Sequence, residues 1–475
     1  MNIKKFYPKI NLNIDVDGIT ANSKAVKRNY IFVAIKGKKE NGNKYINEAL
    51  ANGACLIVTD KFHFKGFNRV RVKDAKLEYI RLLQIYYSYT NNIYTVGVTG
   101  TDGKTTTSSI LNSIFEMLNK SALIGTNGCK YLNRNIKTKN TTPGADFIYQ
   151  AYSIFNKHNI NDLVMEVSSE GILDKRIDGY LFNGAIYTNL SFEHLNTHKT
   201  MDEYFKCKAK LFNMLDKNAL LVINADDAYS YKIPYYTKAK IVTYGLVHGD
   251  YKAMNIKIHP AKSEFDLYYK NDKVYHFVLN LFGRYNIYNA LAAIAYAYEL
   301  GMPLEAIYDG VYKVREVDGR FMRCELNGIT GIVDFAHTPA GLYNLLDNIK
   351  LFCKGHIILI LGAQGRKDIA KRAIMGKMAV MMTSTVIFTS EDPKDESIFA
   401  ILNDLTKEIT STDYYITLFR EDAIKLAVKL ARPNDTIVIT GKGNEDYEII
   451  GNTHFHHNDF EILKKHLKEK ACLDA

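Results

Sequence analysis

At 475 residues the chain is too long for one ordinary hydrophobic core, and a scale of about 150 residues per domain points to about three domains. With 47% apolar and 24% charged residues, no Pro-, Gln- or Ser-rich tract and no short-period repeat, the composition is globular and excludes collagen-like, low-complexity and repeat architectures. The formal charge of +11, from 62 Lys and Arg against 51 Asp and Glu, is scattered along the chain; it suits an anionic substrate such as a nucleotide and lacks the basic, aromatic-interleaved patch of a nucleic-acid footprint.

Residues up to about 88 contain short β-rich runs, Tyr30 to Ile35 and Cys55 to Val58, then a helical stretch around Leu77 to Tyr89. Thr90-Asn91-Asn92 reads as a linker. An apolar strand ends at Val96; Ile110, Leu111, Ile114, Phe115 and Leu118 then fall on one helix face, and Ala122-Leu123-Ile124 resumes as strand. That is a βαβ unit, so a largely parallel sheet is expected. Further strands are read at Leu163 to Val167, Ala185 to Tyr187 and Leu220 to Ile223, and a helix from Asn286 to Leu300 is closed by Gly301 and Pro303. Beyond Val317 the rhythm repeats, with strands near Gly331 to Asp334, Ile357 to Leu361, Val386 to Thr389 and Thr436 to Ile439. The expected architecture is α/β in three domains: a small N-terminal α/β domain (1–90), a central parallel-sheet domain (91–317) and a C-terminal Rossmann-like domain (318–475).

The six cysteines, Cys55, Cys129, Cys207, Cys324, Cys353 and Cys472, are far apart and form no C-x-x-C pair, so neither a disulfide framework nor a zinc site is expected. Met1 to Pro8 lacks the apolar core of a signal peptide, and no run approaches the ~18 apolar residues that span a bilayer. The expectation is a cytoplasmic protein with neither membrane insertion nor nucleic acid as partner; the sequence carries no signal of oligomeric state.

Thr99-Gly100-Thr101-Asp102-Gly103-Lys104-Thr105-Thr106 falls between the strand and the helix of the βαβ unit, where main-chain N–H groups and a helix N-terminus can face a polyphosphate. Lys104 would contact the β/γ-phosphates and the Thr105 hydroxyl a Mg²⁺ ion. The pattern G-x-x-x-x-G-K-S/T would place Gly at Val98, so the loop is a variant; a plain Gly-rich turn is the competing reading. Glu166 ends an apolar strand, and a carboxylate at the carboxyl end of a parallel strand points into the ligand crevice, where it suits Mg²⁺. By ordinary burial habits His194 is a loop or core histidine, Lys208 a solvated helix lysine and Asn286 a helix cap. His454-Phe455-His456-His457 has no second half of a zinc site nearby.

Thr99 to Thr106 resembles the ATP loop of the Mur ligase and folylpolyglutamate synthase superfamily, T-G-T-N/D-G-K-S/T-T, and the resemblance runs in order along nearly the whole chain. It implies ATP-dependent ligation through an acyl phosphate, with ATP held by Gly100, Thr101, Asp102, Gly103, Lys104, Thr105, Thr106, Asn286, Asn289, Arg320, Asp334 and His337. Gly283 to Asn289 resembles the block G-x-x-N-x-x-N, which places Asn286 and Asn289 near the adenine. Arg320 matches a family G-R whose arginine reaches the phosphates, and Asp334 to Pro339 is close to D-Y-A-H-T-P, with Asp334 and His337 toward ribose and phosphates. Tyr204 to Phe212 resembles Y-x-x-A-K-x-x-L-F, which implies that Lys208 is carbamylated (N6-carboxylysine) and joins Thr105, Glu166 and His194 in holding two Mg²⁺ ions. The catalytic set so implied is Lys104, Glu166, His194, Lys208 and Arg320.

Within that family, Asn140 to Pro143, Asp334 to Pro339 and Gly441 to Glu445 together resemble the UDP-N-acetylmuramoyl-tripeptide synthetases. The partners implied are UDP-MurNAc-L-Ala-D-Glu, on Ser23, Thr141, Thr142, Ser168 and Arg176, and a diamino acid, meso-diaminopimelate or L-lysine, on Asp392, Lys394, Gly441 and Glu445. The chain departs from the family pattern at several points: Asn22-Ser23-Lys24 for D-S-R, Asn41-Gly42-Asn43 for D-G-H, Glu170 for a histidine, Glu391-Asp392-Pro393-Lys394 for D-N-P-R, and Asn444 in G-K-G-H-E. Lys394 suits a distal carboxylate, whereas Glu391 and Asp392 add negative charge for a distal ammonium; a zwitterionic side-chain end satisfies both, which favours diaminopimelate. A Mur-like ligase of another carboxylate, and a nucleotide-binding regulator without catalysis, are the alternatives.

Overall fold

The computed structural model describes the chain except residues 38–39, 61–67, 194, 411–412 and 474–475. By its internal packing it falls into two units, Met1–Val96 with Asn119–Asn183, and Gly97–Leu118 with Gly184–Ala475.

The first unit opens with a four-stranded parallel sheet in the order Gly18–Thr20, Tyr30–Ala34, Ala54–Thr59, Arg69–Arg71. Phe32, Ala34 and Ile57 pack with Ile46 and Ala49 of the short helix Ile46–Ala51. Helix Ala75–Tyr86 begins where Asp74 accepts N–H bonds from Lys76 and Leu77, an N-cap that sets the helix start two residues before the expected one. The unit's remaining strands run in the order Asp162–Glu166, Ser121–Gly125, Gly128–Tyr131, Arg134–Ile136. Tyr89, Tyr149, Tyr152 and Tyr180 form one aromatic cluster, with Tyr89 4.6 to 5.3 Å from the other three rings, so these tyrosines serve packing.

In the second unit the end of strand Tyr94–Thr99 is followed across the sheet by Gly184–Tyr187, Leu220–Asn224, Lys240–Gly245, Tyr251–His259, Lys262–Tyr269 and Asp272–Leu279. Gly184–Tyr187, Leu220–Asn224 and Lys240–Gly245 pair in parallel, and the first two are buried on both faces, hence their unbroken apolar runs. The last three strands are an antiparallel meander that the sequence reading does not contain. Their exposed positions carry Lys, Asn and Asp, so buried apolar residues such as Phe265 and Leu267 alternate with polar ones and the longest wholly aliphatic or Phe run is the short Phe277-Val278-Leu279. Helix Lys104–Phe115 packs against helices Arg284–Glu299 and Leu304–Lys313. Leu118, expected on its apolar face, lies beyond the helix and is exposed.

The same unit contains a six-stranded sheet in the order Met322–Leu326, Ile329–Asp334, Thr436–Thr440, Ile357–Leu361, Thr385–Phe388, Tyr414–Ile416, parallel except for its first strand. Helices Pro339–Ile349, Ala370–Met382 and Ile398–Thr406 cover one face; Arg420–Leu430 and Asp459–Leu473 cover the other. This is the Rossmann-like arrangement expected, and ligands of such sheets bind beyond the carboxyl ends of the strands. No helix among the described residues is long and apolar enough to cross a membrane.

Candidate active site

Gly100 follows the strand end with φ 152°, and a Cβ there would stand 1.8 Å from the Thr188 hydroxyl oxygen; Gly103, φ 83°, is the N-cap of helix Lys104–Phe115, with Asn289 Oδ1 2.3 Å from where its Cβ would be. Only glycine fits either place. Neighbouring strand ends hold the loop between them: Thr101 N donates to Asn189 O and Asp102 N to Asn189 Oδ1, both at 2.9 Å, and Thr188 Oγ1 donates to Asp102 O at 2.7 Å. Lys104 Nζ donates to the carbonyls of Gly100 and Thr101 at 3.0 and 2.7 Å, so its ammonium sits over the loop. Thr105 and Thr106 are buried in the first helical turn, whose N–H groups and dipole suit an anion. Strand end, glycine loop and helix N-terminus are the parts that a phosphate-binding loop requires.

Lys208, on helix Met201–Asn213, is buried and not a solvated surface lysine; its Nζ donates to Gly100 O at 2.7 Å and stands 4.6 Å from the Tyr204 ring centroid. Burial first, and the charge of Lys104 second, push its pKa well below that of an ordinary lysine. Asn286 is not a cap: Gly283 is, and the buried Asn286 side chain donates to Phe282 O at 2.9 Å while accepting from Asn289 Nδ2 at 3.1 Å. Asn289 thereby lies against both Gly103 and Thr107, beside the loop.

From the six-stranded sheet, Arg320 lies 4.5 Å from the Phe335 ring centroid, and buried Asp334 accepts N–H bonds from Phe321 and Ala336, each at 2.8 Å. Burial raises the pKa of Asp334 against the pull of Arg320. His337 Nδ1 donates to Phe335 O and Nε2 to Glu193 Oε1, both at 2.7 Å. The Phe335 carbonyl can only accept, so Nδ1 carries a proton, and the Glu193 carboxylate favours the charged form of the ring. Burial opposes that charge, but Glu193 and the hydrogen bonds outweigh it and raise the pKa. Glu193, Asn189 and Ser191, whose hydroxyl donates to Asp102 at 3.2 Å, went unread in the sequence.

Two loops of this sheet carry the residues expected to meet the amino acid. Gly441, φ 109°, leaves room for Glu391, whose Oε2 is 2.0 Å from where a Cβ would stand. Asp392 corrects an expectation: its carboxylate is not open to a ligand ammonium, because Oδ1 accepts from Lys442 Nζ at 2.9 Å and from Ile449 N at 3.0 Å. Lys442, fully buried, also donates to Glu445 at 2.8 Å; burial works against its charge, but the two carboxylates raise its pKa. Lys394, half-buried, is held below the usual lysine range by burial and then by the charge of Lys367.

In the first unit, Glu166 ends strand Asp162–Glu166 and accepts from Thr126 N and Oγ1 at 2.9 and 3.1 Å. Thr142 Oγ1 donates to Glu166 O at 2.9 Å and accepts from Ser168 N at 2.9 Å; Thr126 and Thr141 share a hydroxyl contact of 3.0 Å, and Arg176 Nη1 donates to Thr142 O at 2.7 Å. Glu166, Thr141, Thr142, Ser168 and Arg176 thus come together. Ser23 lies apart from them, buried in the 3₁₀ turn Ser23–Ala25. His194 lies outside the described residues. Of the histidine run, His457 donates to Asp459 at 2.8 Å, while His454 and His456 are exposed on the ribbon strand Thr453–His456.

Two family patterns match the chain: Mur ligase middle domain over residues 98–297 and Mur ligase, glutamate ligase domain over residues 319–443. Similar proteins include the UDP-N-acetylmuramoyl-L-alanyl-D-glutamate–2,6-diaminopimelate ligases of Clostridium botulinum, 35% identical over 469 residues with 96% of each chain covered, and of Caldanaerobacter subterraneus, 36% identical over 469 residues with 97% of this chain and 96% of that one covered. A solved structure of a ligase of that name superposes with a TM-score of 0.69 at 27% identity over 99% of both chains. The MurF ligase of Thermotoga maritima in complex with ADP shares the fold, with a TM-score of 0.69 at 18% identity over 95% of this chain and 98% of that one. The class that fold and loop define is the ATP-dependent amide ligases. The chain belongs to the Mur ligase family within it.

Proposed function

We propose that the chain joins an amino group of meso-diaminopimelate to the γ-carboxylate of D-glutamate in UDP-N-acetylmuramoyl-L-alanyl-D-glutamate, with ATP converted to ADP and phosphate, in the cytoplasm as a step of peptidoglycan precursor synthesis. The observation that supports this most is the likeness, along 96% of the chain, to ligases named for that reaction. A division into three domains near residues 90 and 317 belongs to the same proposal.

Carboxylate and amine do not condense unaided in water. A carboxylate oxygen of the dipeptide first takes the γ-phosphoryl group, forming an acyl phosphate and releasing ADP. Lys104, Arg320 and the helix N-terminus at Lys104 offset the charge that gathers on the phosphates. The amine then attacks the carbonyl carbon, phosphate leaves and the amine loses its proton, so no protein nucleophile is needed. Thr141, Thr142, Ser168 and Arg176 hold the dipeptide, and Ser23 its uridine diphosphate. Lys394 and Lys367 form a pair of like charges that gains from an anion between them, which suits the distal carboxylate of diaminopimelate and not the lone ammonium of L-lysine.

Thr105, Glu166, His194 and carbamylated Lys208 are the residues that would hold two Mg²⁺ ions, whose chemistry is to neutralise phosphate charge. The donor set fits: a hydroxyl, a carboxylate and a carbamate are hard oxygen ligands, and burial, which lowers the pKa of Lys208, favours the neutral amine that reacts with carbon dioxide. Among the described residues no cluster of three His, Cys, Asp or Glu supplies an alternative set.

Phosphate release with UDP-MurNAc-L-Ala-D-Glu against a panel of amino acids tests the reading, and a preference for L-lysine that survives Lys394→Ala overturns the choice of amine. Without amine, ATP and the dipeptide should give a borohydride-trappable adduct on the dipeptide; label on a protein side chain would mean a covalent enzyme intermediate instead. Lys208→Ala should lose most turnover and recover part of it with added short carboxylates. Full activity of the unsupplemented variant would remove carbamylation from the account.

A further inference from the structure

Arg420 opens helix Arg420–Leu430 and is completely buried, an expensive place for a guanidinium unless its charge is matched. Asp459, equally buried, matches it: Nε and Nη2 donate to the two carboxylate oxygens, each at 2.8 Å, and His457 donates to the same carboxylate. Burial alone would raise the pKa of Asp459, but the charge of Arg420 and the bonds from Arg420 and His457 hold it well below the usual range. The pair is therefore fully ionised at neutral pH.

The fork to Asp459 leaves donors to spare. Nη1 donates to the carbonyl of Ser390 at 3.3 Å and Nη2 to the carbonyl of Thr440 at 2.6 Å. Those carbonyls stand immediately before Glu391 and Gly441, the first residues of the two loops read above as the amino-acid site. Strands Thr385–Phe388 and Thr436–Thr440 are not neighbours, since Ile357–Leu361 runs between them, so no ladder of main-chain bonds joins the roots of the two loops. At the roots a rigid, planar group spans them instead; farther along, Lys442 bonds Asp392 and the main chain of Lys394 bonds Ile449 and Gly451. Glu391 lies directly against Gly441, so a small change in that span alters the space between the loops.

We propose that Arg420 is a positioning residue for the amino-acid half of the site: through the Ser390 and Thr440 carbonyls it fixes the separation of Glu391 from Gly441, and so the fit of the incoming amine, without acting on ATP. The proposal rests on the reading of these loops as the amino-acid site.

Arg420→Lys keeps the charge opposite Asp459 but loses the fork. In steady-state assays with ATP, UDP-MurNAc-L-Ala-D-Glu and diaminopimelate, it should raise KM for diaminopimelate about tenfold, the effect of one or two lost hydrogen bonds, and leave KM for ATP and the borohydride-trapped acyl phosphate near wild-type values. Asp459→Asn, which loosens the guanidinium while leaving it in place, should show the same split at about threefold and serves if the lysine variant does not fold. KM values for ATP and diaminopimelate that rise together, or no change in either folded variant, would overturn the proposal. Wild-type protein that forms no acyl phosphate and no amide would instead overturn the functional reading, and with it the role given to the loops.

Discussion

Around Gly100 to Gly103 the hydrogen bonds that shape the loop run largely through its own main chain: to Asn189, from Thr188, and from the side-chain nitrogens of Lys104 and Lys208. Around Glu391 to Lys394 and Gly441 to Glu445, the loops are tied to each other largely by buried side-chain charge, with Lys442 between Asp392 and Glu445 and Arg420 beneath. The first region follows its family pattern closely and the second departs from it at four positions. The difference teaches why. A triphosphate is the same in every member, and main-chain N–H groups recognise it whatever the side chains are. An amino acid is recognised by the charges at its far end, so the residues that meet it can change as long as the buried charges still balance.

The widest separation between the regions should come from the phosphate loop. Gly100→Ala puts a methyl group onto the Thr188 hydroxyl and should lower turnover about a thousandfold or more, as should Lys104→Ala, with every amino acid tested equally affected. Selective loss toward one amino acid would break the comparison. Next in size, Lys442→Met strands Asp392 and Glu445 and should lower stability by about 3–5 kcal/mol in urea unfolding, raising KM for the amino acid while KM for ATP holds.

A smaller effect is expected at Gly441→Ala, where φ is 109° and the new methyl group meets Glu391. The conformational part alone costs about 1–3 kcal/mol, and the amino-acid KM should rise without change in acyl-phosphate yield. The smallest is a control in neither region. Asp74 caps helix Ala75–Tyr86 and its carboxyl is held below the usual range first by its hydrogen bond from Lys175. A depressed folded pKa contributes stability above the unfolded value of about 4, lost as pH falls through the folded one. Asp74→Ala should therefore cost about 1 kcal/mol at pH 7, flatten the acid limb of Tm against pH, and move neither KM.

The sequence by itself determined the α/β class and the place of the glycine loop and Lys104 between a strand and a helix, because glycines, a lysine and a strand-to-helix change of period are local signals that survive without a partner in view. It also located the strand ends that carry Glu166 and Asp334, since both-face burial leaves an unbroken apolar run just before each, and the strand whose Ile437-Val438-Ile439 run precedes Gly441 by one threonine. What the tertiary structure decided is which charges are already matched. Asp392 and Glu391 are neighbours in the chain, yet Asp392 is bonded to a lysine 50 residues on and Glu391 lies against a glycine. Arg420, 39 residues before Asp459, has no sequence feature that separates it from a solvated arginine at the start of a helix. The meander from Tyr251 to Leu279 stayed hidden for a related reason: its polar faces look to solvent, and only strand pairing shows that they belong to a sheet. Charge is worth little on a surface and a great deal when buried, and burial is a property of the packed chain that no window of sequence contains.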